Sequence, residues 1–180
     1  DDSVQSLTRA SLCLVGGKRI VRHAMEHLLR NLGFRIASSC ADEEDLLDAL
    51  GRPSRPAADV LILVLCGDGP FGAFRRVQET LAKVRKALPL VVLSEQASRG
   101  QVYAAIRIGA KAYVNLDADI EELVKAIDLA SRDKTFLASD AAELLVNDIS
   151  TAVEPASRQR LPRTDLSRRE TEVVQLLCEG

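Results

Sequence analysis

The sequence predicts an α/β fold: a flavodoxin-like, five-stranded parallel sheet with flanking helices, followed by a linker and the start of an all-α element. Three observations predict it. Short apolar runs alternate with stretches of helical period from Ser11 to Ser131, the order that βαβ units produce. The run from Val60 to Leu65 is apolar without alternation, as expected of a strand covered on both faces. Finally, the 180-residue chain is 47% hydrophobic and 28% charged, which excludes disordered and fibrous classes and leaves room for one domain plus a remainder.

Residues 1–10 open on Asp1-Asp2-Ser3, without Met, a basic segment or a cleavage motif, and are read as a disordered or trimmed terminus. Leu12 to Val15 is the first strand. Ile20, Val21, Ala24, Met25, Leu28, Leu29 and Leu32 then form one face of a helix whose other face carries Arg22, His23, Glu26, His27 and Arg30. The His23 and His27 spacing is one that metal sites use. No Cys or acid completes such a site in sequence, so both are read as solvated surface and no metal is expected. Phe34 to Ser38 is the second strand. The second helix starts near Asp42-Glu43-Glu44-Asp45, where acids suit the positive end of the helix dipole, and ends before Gly51 and Pro53. Val60 to Leu65 is the third strand, and Phe74, Val77, Leu81, Val84 and Leu88 mark the third helix. Leu90 to Leu93 is the fourth strand, followed by a short helix on Val102 and Ile106. Ala112 to Val114 is the fifth, and Ile120, Leu123, Val124 and Ile127 face the core from the fifth helix.

These repeats make a domain over residues 11–135 whose pocket lies at the carboxyl ends of the strands. Residues 136–150 are read as an additional strand and helix and the start of the linker: an apolar piece, Phe136-Leu137-Ala138, and a helical stretch from Ser139 to Ile149 with Leu144, Leu145 and Ile149 on one side. Residues 151–165 are polar, contain Pro155 and Pro162, and show no period, which reads as a linker. In residues 166–180, Ser167-Arg168-Arg169-Glu170 is a capping box, and Val173, Val174, Leu176 and Leu177 supply an apolar face.

Charge and composition narrow the function. A net charge of −2 gives no electrostatic reason to expect a polyanion partner for the chain as a whole. Between Pro155 and Arg169, however, five arginines face Asp165 alone, a local +4 that reads either as a phosphate-contacting stretch or as a solubilising linker. Aromatics at 3%, with no Trp, argue against recognition by stacking on bases or sugars. The longest apolar run, Val60 to Cys66, is far short of the ~20 residues that span a bilayer. Cys13, Cys40, Cys66 and Cys178 show no CxxC or Cys/His spacing and read as reduced thiols of a cytoplasmic protein. No Ser/His/Asp or Cys/His order supports an enzyme.

Two stretches resemble a known family. Gly109-Ala110-Lys111-Ala112-Tyr113-Val114 with Asp119-Ile120-Glu121-Glu122-Leu123 is similar to the fifth strand and helix of bacterial response-regulator receivers. Leu166 to Gly180 is similar to the opening helix of a LuxR-type helix-turn-helix. Together they resemble the NarL/FixJ group, cut short after the first helix of the DNA-binding domain. The resemblance implies a site with two acids after the first strand to hold Mg²⁺, a nucleophilic Asp ending the third strand, and a Lys after the fifth. Here those positions fall on Gly16, Gly17, Val64 and Leu116; the switch positions are kept as Ser94 and Tyr113.

Neither nearby acid replaces the missing ones: Asp59 lies at the wrong end of the third strand, and Asp68, in the following loop, lacks both metal ligands and lysine. Gly16-Gly17-Lys18 lacks the length and Ser/Thr of a phosphate-binding loop, and a tight turn packed over an uncharged pocket fits it better. The expectation is a pseudo-receiver that needs no phosphorylation, metal or cofactor. It is held in one state by packing, or switched by a protein or small-molecule effector. Output through the resembled family implies a homodimer and double-stranded DNA bound by a complete helix-turn-helix, with Arg168 and Arg169 as candidates for phosphate contacts only. The alternative is a receiver-like interaction module without its own DNA-binding output.

Overall fold

The computed structural model describes residues 10–52, 57–67, 70–84 and 87–152. The chain divides into two units, residues 1–147 and 148–180, and the architecture below is that of the first. Its strands are β1 (Ser11–Gly16), β2 (Arg35–Cys40), β3 (Val60–Leu65), β4 (Leu90–Ser94), β5 (Ala112–Asn115) and β6 (Phe136–Leu137). Its helices are α1 (Arg19–Asn31), α2 (Glu43–Gly51), α3 (Pro70–Val84), α4 (Arg99–Arg107), α5 (Ile120–Ser131) and α6 (Ser139–Ala152).

The sheet runs β2-β1-β3-β4-β5-β6, every neighbouring pair parallel. It has six strands where five were expected, because Phe136-Leu137 pairs with Ala112-Tyr113 and covers the edge of β5 that would otherwise be open. The Phe136 and Ala138 amides donate to the Lys111 and Tyr113 carbonyls at 2.7 and 3.0 Å.

β3 shows how the sequence dictates the layers. Every residue from Val60 to Leu65 is buried. Leu61, Leu63 and Leu65 enter one core with Leu46, Phe74 and Val77, while Val60, Ile62 and Val64 enter the other with Leu29, Leu123 and Ile127. A strand side chain alternates faces, so an uninterrupted apolar run is what two covered faces require; each such side chain contributes roughly 1.5–3 kcal/mol by leaving water. The connection from β1 goes to one side of the sheet and the return to β3 to the other. The crevice between their carboxyl ends is therefore the topological switch point.

The acids expected to open α2 do so. Asp42 caps the helix, its Oδ1 accepting from the Glu44 and Asp45 amides at 3.0 Å each, while Asp45 Oδ2 accepts from the Ala41 amide at 3.0 Å. Three helical faces differ from the periodic reading. In α1 the inward positions are Arg22, Met25 and Leu29, and Ile20 is 79% exposed. The arginine assigned to the polar face turns inward because backbone carbonyls await it there, as described below. In α4 the buried positions are Gln101, Val102 and Ala105, leaving Ile106 exposed, and in α5 Ile120 is exposed on the first turn. α6 packs Leu144 and Leu145 on the core as expected and continues to Ala152, past the expected start of the linker. The remaining linker, the capping box at Ser167, and Arg168 and Arg169 lie outside the described residues. Among the described residues no helix is long and apolar enough to cross a membrane.

Candidate functional site

The crevice at the ends of β1 and β3 holds a cavity of about 310 Å³. Gly16, Gly17 and Val64 form one part of its wall, and Lys18, Asp42, Glu43, Cys66 and Arg76 lie around them. Gly16 pairs in register with Val64, which brings the ends of the two strands side by side. Gly16 and Gly17 have φ of +81° and +69°, a region that side chains with a Cβ rarely enter. Contact adds a second constraint. A Cβ at Gly17 would stand 2.8 Å from Val64 Cγ1, and one at Gly16 would stand 2.8 Å from the Val64 carbonyl oxygen. The glycine pair is a tight turn laid directly on the valine.

A buried arginine closes this turn from below. Arg22 is 9% exposed, and its Nη1 donates to the Gly16 and Gly17 carbonyls at 3.1 and 3.3 Å. These carbonyls point inward because of the left-handed turn and would otherwise lack a donor as strong as a guanidinium.

The pocket's acids are already engaged. Asp42 caps α2, and Glu43 pairs with Arg76 at 3.0 Å. Asp59 sits at the opposite, amino end of β3, where its Oδ2 accepts from the Ser11 amide at 2.7 Å; Asp68 lies outside the described residues. Among the described residues no group of three His, Cys, Asp or Glu side chains could hold a metal, and His23 and His27 are both exposed. Mg²⁺ requires near-octahedral oxygen ligation and dehydrates reluctantly, so a wall of Gly, Gly and Val beside a guanidinium does not fit it.

Ser94 and Tyr113 gather elsewhere, around Gln101. The Ser94 hydroxyl lies 2.8 Å from the Gln96 carbonyl and 3.0 Å from Gln101 Oε1, and the Tyr113 hydroxyl lies 3.0 Å from Gln101 Oε1 and 3.3 Å from the Gln96 carbonyl. Two hydroxyl protons thus serve two acceptors. All three side chains are buried. Burial pushes the Tyr113 hydroxyl above the ordinary tyrosine range, and its hydrogen bond with Ser94 opposes that shift. Leu116 joins this corner through its backbone, its amide donating to the Ser94 carbonyl at 2.8 Å, while its side chain packs half-buried on the core.

Of the four positions that the resemblance matches to charged residues, Gly16, Gly17 and Val64 meet in one cavity, and Leu116 stands apart with Ser94. Of the four cysteines, expected to be buried, two are; Cys66 is half-buried at the end of β3, and Cys178 lies outside the described residues. Cys13 and Cys40 are buried, and the Cys40 thiol is driven far above its ordinary range by its hydrogen bond to Cys13 and by desolvation.

Arg22 and Gln101 are the residues that sequence reasoning missed. A signal existed for the second. Ser98-Arg99-Gly100-Gln101 has the spacing of a capping box, and Ser98 Oγ accepts from the Gln101 amide at 3.3 Å. The glutamine side chain goes instead to the two buried hydroxyls. Arg22 carries no comparable motif.

No family model matches the chain. It is 23% identical to the oxygen regulatory protein NreC of Staphylococcus carnosus over 168 residues, spanning 87% of this chain and 76% of the relative. With the response regulator UvrY of Escherichia coli it shares 25% identity over 173 residues, 94% of this chain and 74% of the relative. Its fold matches a two-component response regulator of the LuxR family from Aurantimonas sp. SI85-9A1 with a TM-score of 0.64 at 21% identity, over 79% of this chain and 99% of the other. A structure of two RcsB dimers bound to two parallel DNAs matches with a TM-score of 0.64 at 19% identity, over 96% and 78%. The chain is homologous to response regulators of the NarL/LuxR type and has their receiver-like fold.

Proposed function

We propose that the protein is a transcriptional regulator of response-regulator type whose receiver domain acts without being phosphorylated. The observation that carries this reading is the packing of Gly16 and Gly17 onto Val64. The place of a nucleophilic carboxylate and its metal ligands is filled by an aliphatic side chain and two glycines that admit no Cβ. Phosphoryl transfer is almost entirely positioning and charge neutralisation, and this corner supplies neither a nucleophile nor a metal site.

The switch positions support the same reading. Tyr113 is held inside by Gln101 together with Ser94, so its conformation is set by packing and hydrogen bonds within the domain. A protein or small apolar ligand that prefers one arrangement of this corner shifts the balance only by its difference in affinity for the two. The output is DNA binding by a homodimer through a helix-turn-helix, by analogy with the RcsB dimers on DNA. The charged stretch that includes Arg168 and Arg169 contributes sequence-blind phosphate contacts at most.

Incubation of the chain with acetyl phosphate and Mg²⁺, followed by intact-mass measurement, tests the central claim. The expected spectrum is unmodified protein. A stable adduct with the mass of one phosphoryl group, abolished by Asp68→Asn, refutes it. A mobility-shift assay on the natural protein tests the output: a sequence-selective shift that acetyl phosphate leaves unchanged is expected, and one that appears only after acetyl phosphate treatment refutes it.

A further inference from the structure

We propose that the homodimer closes through the face formed by α2, α3 and α4, with the acidic ridge of α2 in each copy seated in the basic groove between α3 and α4 of the other. The inference rests on the reading of the protein as a homodimeric regulator, and it supplies the face through which two copies meet.

The sequence sets up two surfaces of opposite charge. Helix α2 holds four acids and no base, whereas α4 holds two arginines and no acid. On α2, Glu44, Leu47 and Asp48 stand at i, i+3 and i+4 and are all exposed, so they form one ridge with an aliphatic centre between carboxylates. Leu47 is left 38% exposed while its neighbours Leu46, Ala49 and Leu50 enter the core. Asp48 pairs with Arg52 at 2.8 Å, and Glu44 makes no ion pair among the described residues.

The groove is the counterpart. A cavity of about 490 Å³ separates α3 from α4, with Phe74 and Ala104 at its floor and Arg75, Gln78, Tyr103 and Arg107 around it. Tyr103 is 41% exposed, and among the described residues no acid lines the cavity. Arg75 pairs with Glu79 along α3 at 3.7 Å, but a pair that long between two exposed side chains contributes little, which leaves Arg75 available to a second carboxylate. Arginines and an aromatic ring around an apolar floor are the side chains that carry energy at interfaces, and here they match a leucine set between carboxylates.

Topology makes the exchange reciprocal. Leu46 of α2, Phe74 and Val77 of α3 and Val102 of α4 share one core, so the three helices lie on the same side of the sheet. Helix α3 is in the middle, touching both others, and its Arg76 bridges to Glu43 of α2 at 3.0 Å. Each helix follows a strand of a parallel sheet, so all three run in the same direction. A two-fold axis along α3 therefore carries α2 of each copy onto the α3–α4 groove of the other. An axis across the helices would instead set acids against acids and arginines against arginines. Charge selects the first arrangement, and its symmetry closes the assembly at two copies.

Sedimentation equilibrium of the natural protein, at concentrations up to about 100 µM, tests the face with two charge reversals at exposed positions. The wild type is expected to dimerise. Glu44→Arg and Arg107→Glu are each expected to raise the dimer dissociation constant at least about tenfold, and the protein carrying both is expected to recover most of that loss, because the reversed pair restores the attraction. Circular dichroism checks that each variant folds. Wild-type dimerisation in 1 M salt, where the screening length falls to about 3 Å, needs no variant and is expected to weaken by a similar factor. A dimer that neither the reversals nor salt weakens overturns this face and leaves the homodimer reading standing. Weakening without recovery in the double variant overturns the pairing of the α2 ridge with the groove. A protein that stays monomeric at every concentration overturns the homodimer reading together with the face. None of these measurements involves a phosphoryl donor, so their failure is distinguishable from failure of the phosphorylation-independent reading.

Discussion

Replacing Gly17 by Ala asks whether the turn really rests on Val64. Two costs add. The φ of +69° places an L-residue in the left-handed region, worth roughly 1–2 kcal/mol. The new methyl would stand 2.8 Å from Val64 Cγ1 and 3.1 Å from its Cβ. Overpacking of that kind adds about 1–3 kcal/mol, for a combined loss of about 3 kcal/mol. Gly67→Ala separates the two contributions. Its φ of +86° is equally left-handed, yet a Cβ there meets nothing within 4 Å, so only the conformational cost of roughly 1–2 kcal/mol remains.

Val64→Ala then acts as a relief mutation. Alone it costs about 2 kcal/mol in lost burial and cavity. Combined with Gly17→Ala it removes the Cγ1 that the new methyl strikes, so the pair is expected to be less destabilising than the sum by ~1–2 kcal/mol. Gly16→Ala provides the contrast, because its Cβ would meet the Val64 carbonyl oxygen at 2.8 Å, an atom that Val64→Ala leaves in place. That pair is expected to add without relief. Urea unfolding followed by circular dichroism reads all six proteins. Strict additivity for Gly17→Ala with Val64→Ala, or a Gly17→Ala cost equal to that of Gly67→Ala, would falsify the packing of the glycine turn on Val64.

Three further outcomes follow from the same geometry. Gln101→Ala leaves the Ser94 and Tyr113 hydroxyls to share the Gln96 carbonyl and is expected to cost about 1–3 kcal/mol in urea unfolding, more than Ser94→Ala, with the Ser98 cap unaffected because it accepts from the backbone. Tyr113 is raised in the folded state, so the fold holds that proton more tightly than the unfolded chain. Its contribution is complete below the unfolded value of 10.0 and is lost as pH rises through the folded value; Tyr113→Phe should flatten the alkaline limb of stability above pH 10.0, and an unchanged limb would contradict the buried hydroxyl. Thiol labelling of the native chain, mapped by mass, is expected on Cys66, which is partly exposed, and absent from Cys13 and Cys40, which are buried and, for Cys40, held protonated; rapid labelling of Cys40 would contradict that assignment.

Much of the fold was legible because its determinants are local. Val60 to Leu65 announces a doubly covered strand by composition alone, and Asp42-Glu43-Glu44-Asp45 announces a helix start by the chemistry of exposed amides. Phe136-Leu137 is legible as an additional strand but not as the sixth member of the sheet, since two residues join a sheet only when an open edge is there to receive them. Period assigns Ile20, Ile106 and Ile120 to the core, yet each is exposed on the first or last turn of its helix.

The site was legible where it is defined by absence and hidden where it is defined by contact. Gly16, Gly17, Val64 and Leu116 stand out only against the resemblance, which implies charged residues at those positions. Arg22 and Gln101 are polar residues on helices, and periodicity assigns them to water by default. What draws each inward lies across a turn or on another strand: the carbonyls that two left-handed glycines expose, and the hydroxyls of Ser94 and Tyr113. The relation also runs in reverse. A pair of glycines whose φ must be positive creates acceptors that need a donor, and two buried hydroxyls create protons that need acceptors. The nearest inward helical position on the following helix is where the partner must stand. In this domain that rule points to Arg22 on α1 and Gln101 on α4, the two polar side chains that fix the turn over Val64 and the inward position of Tyr113.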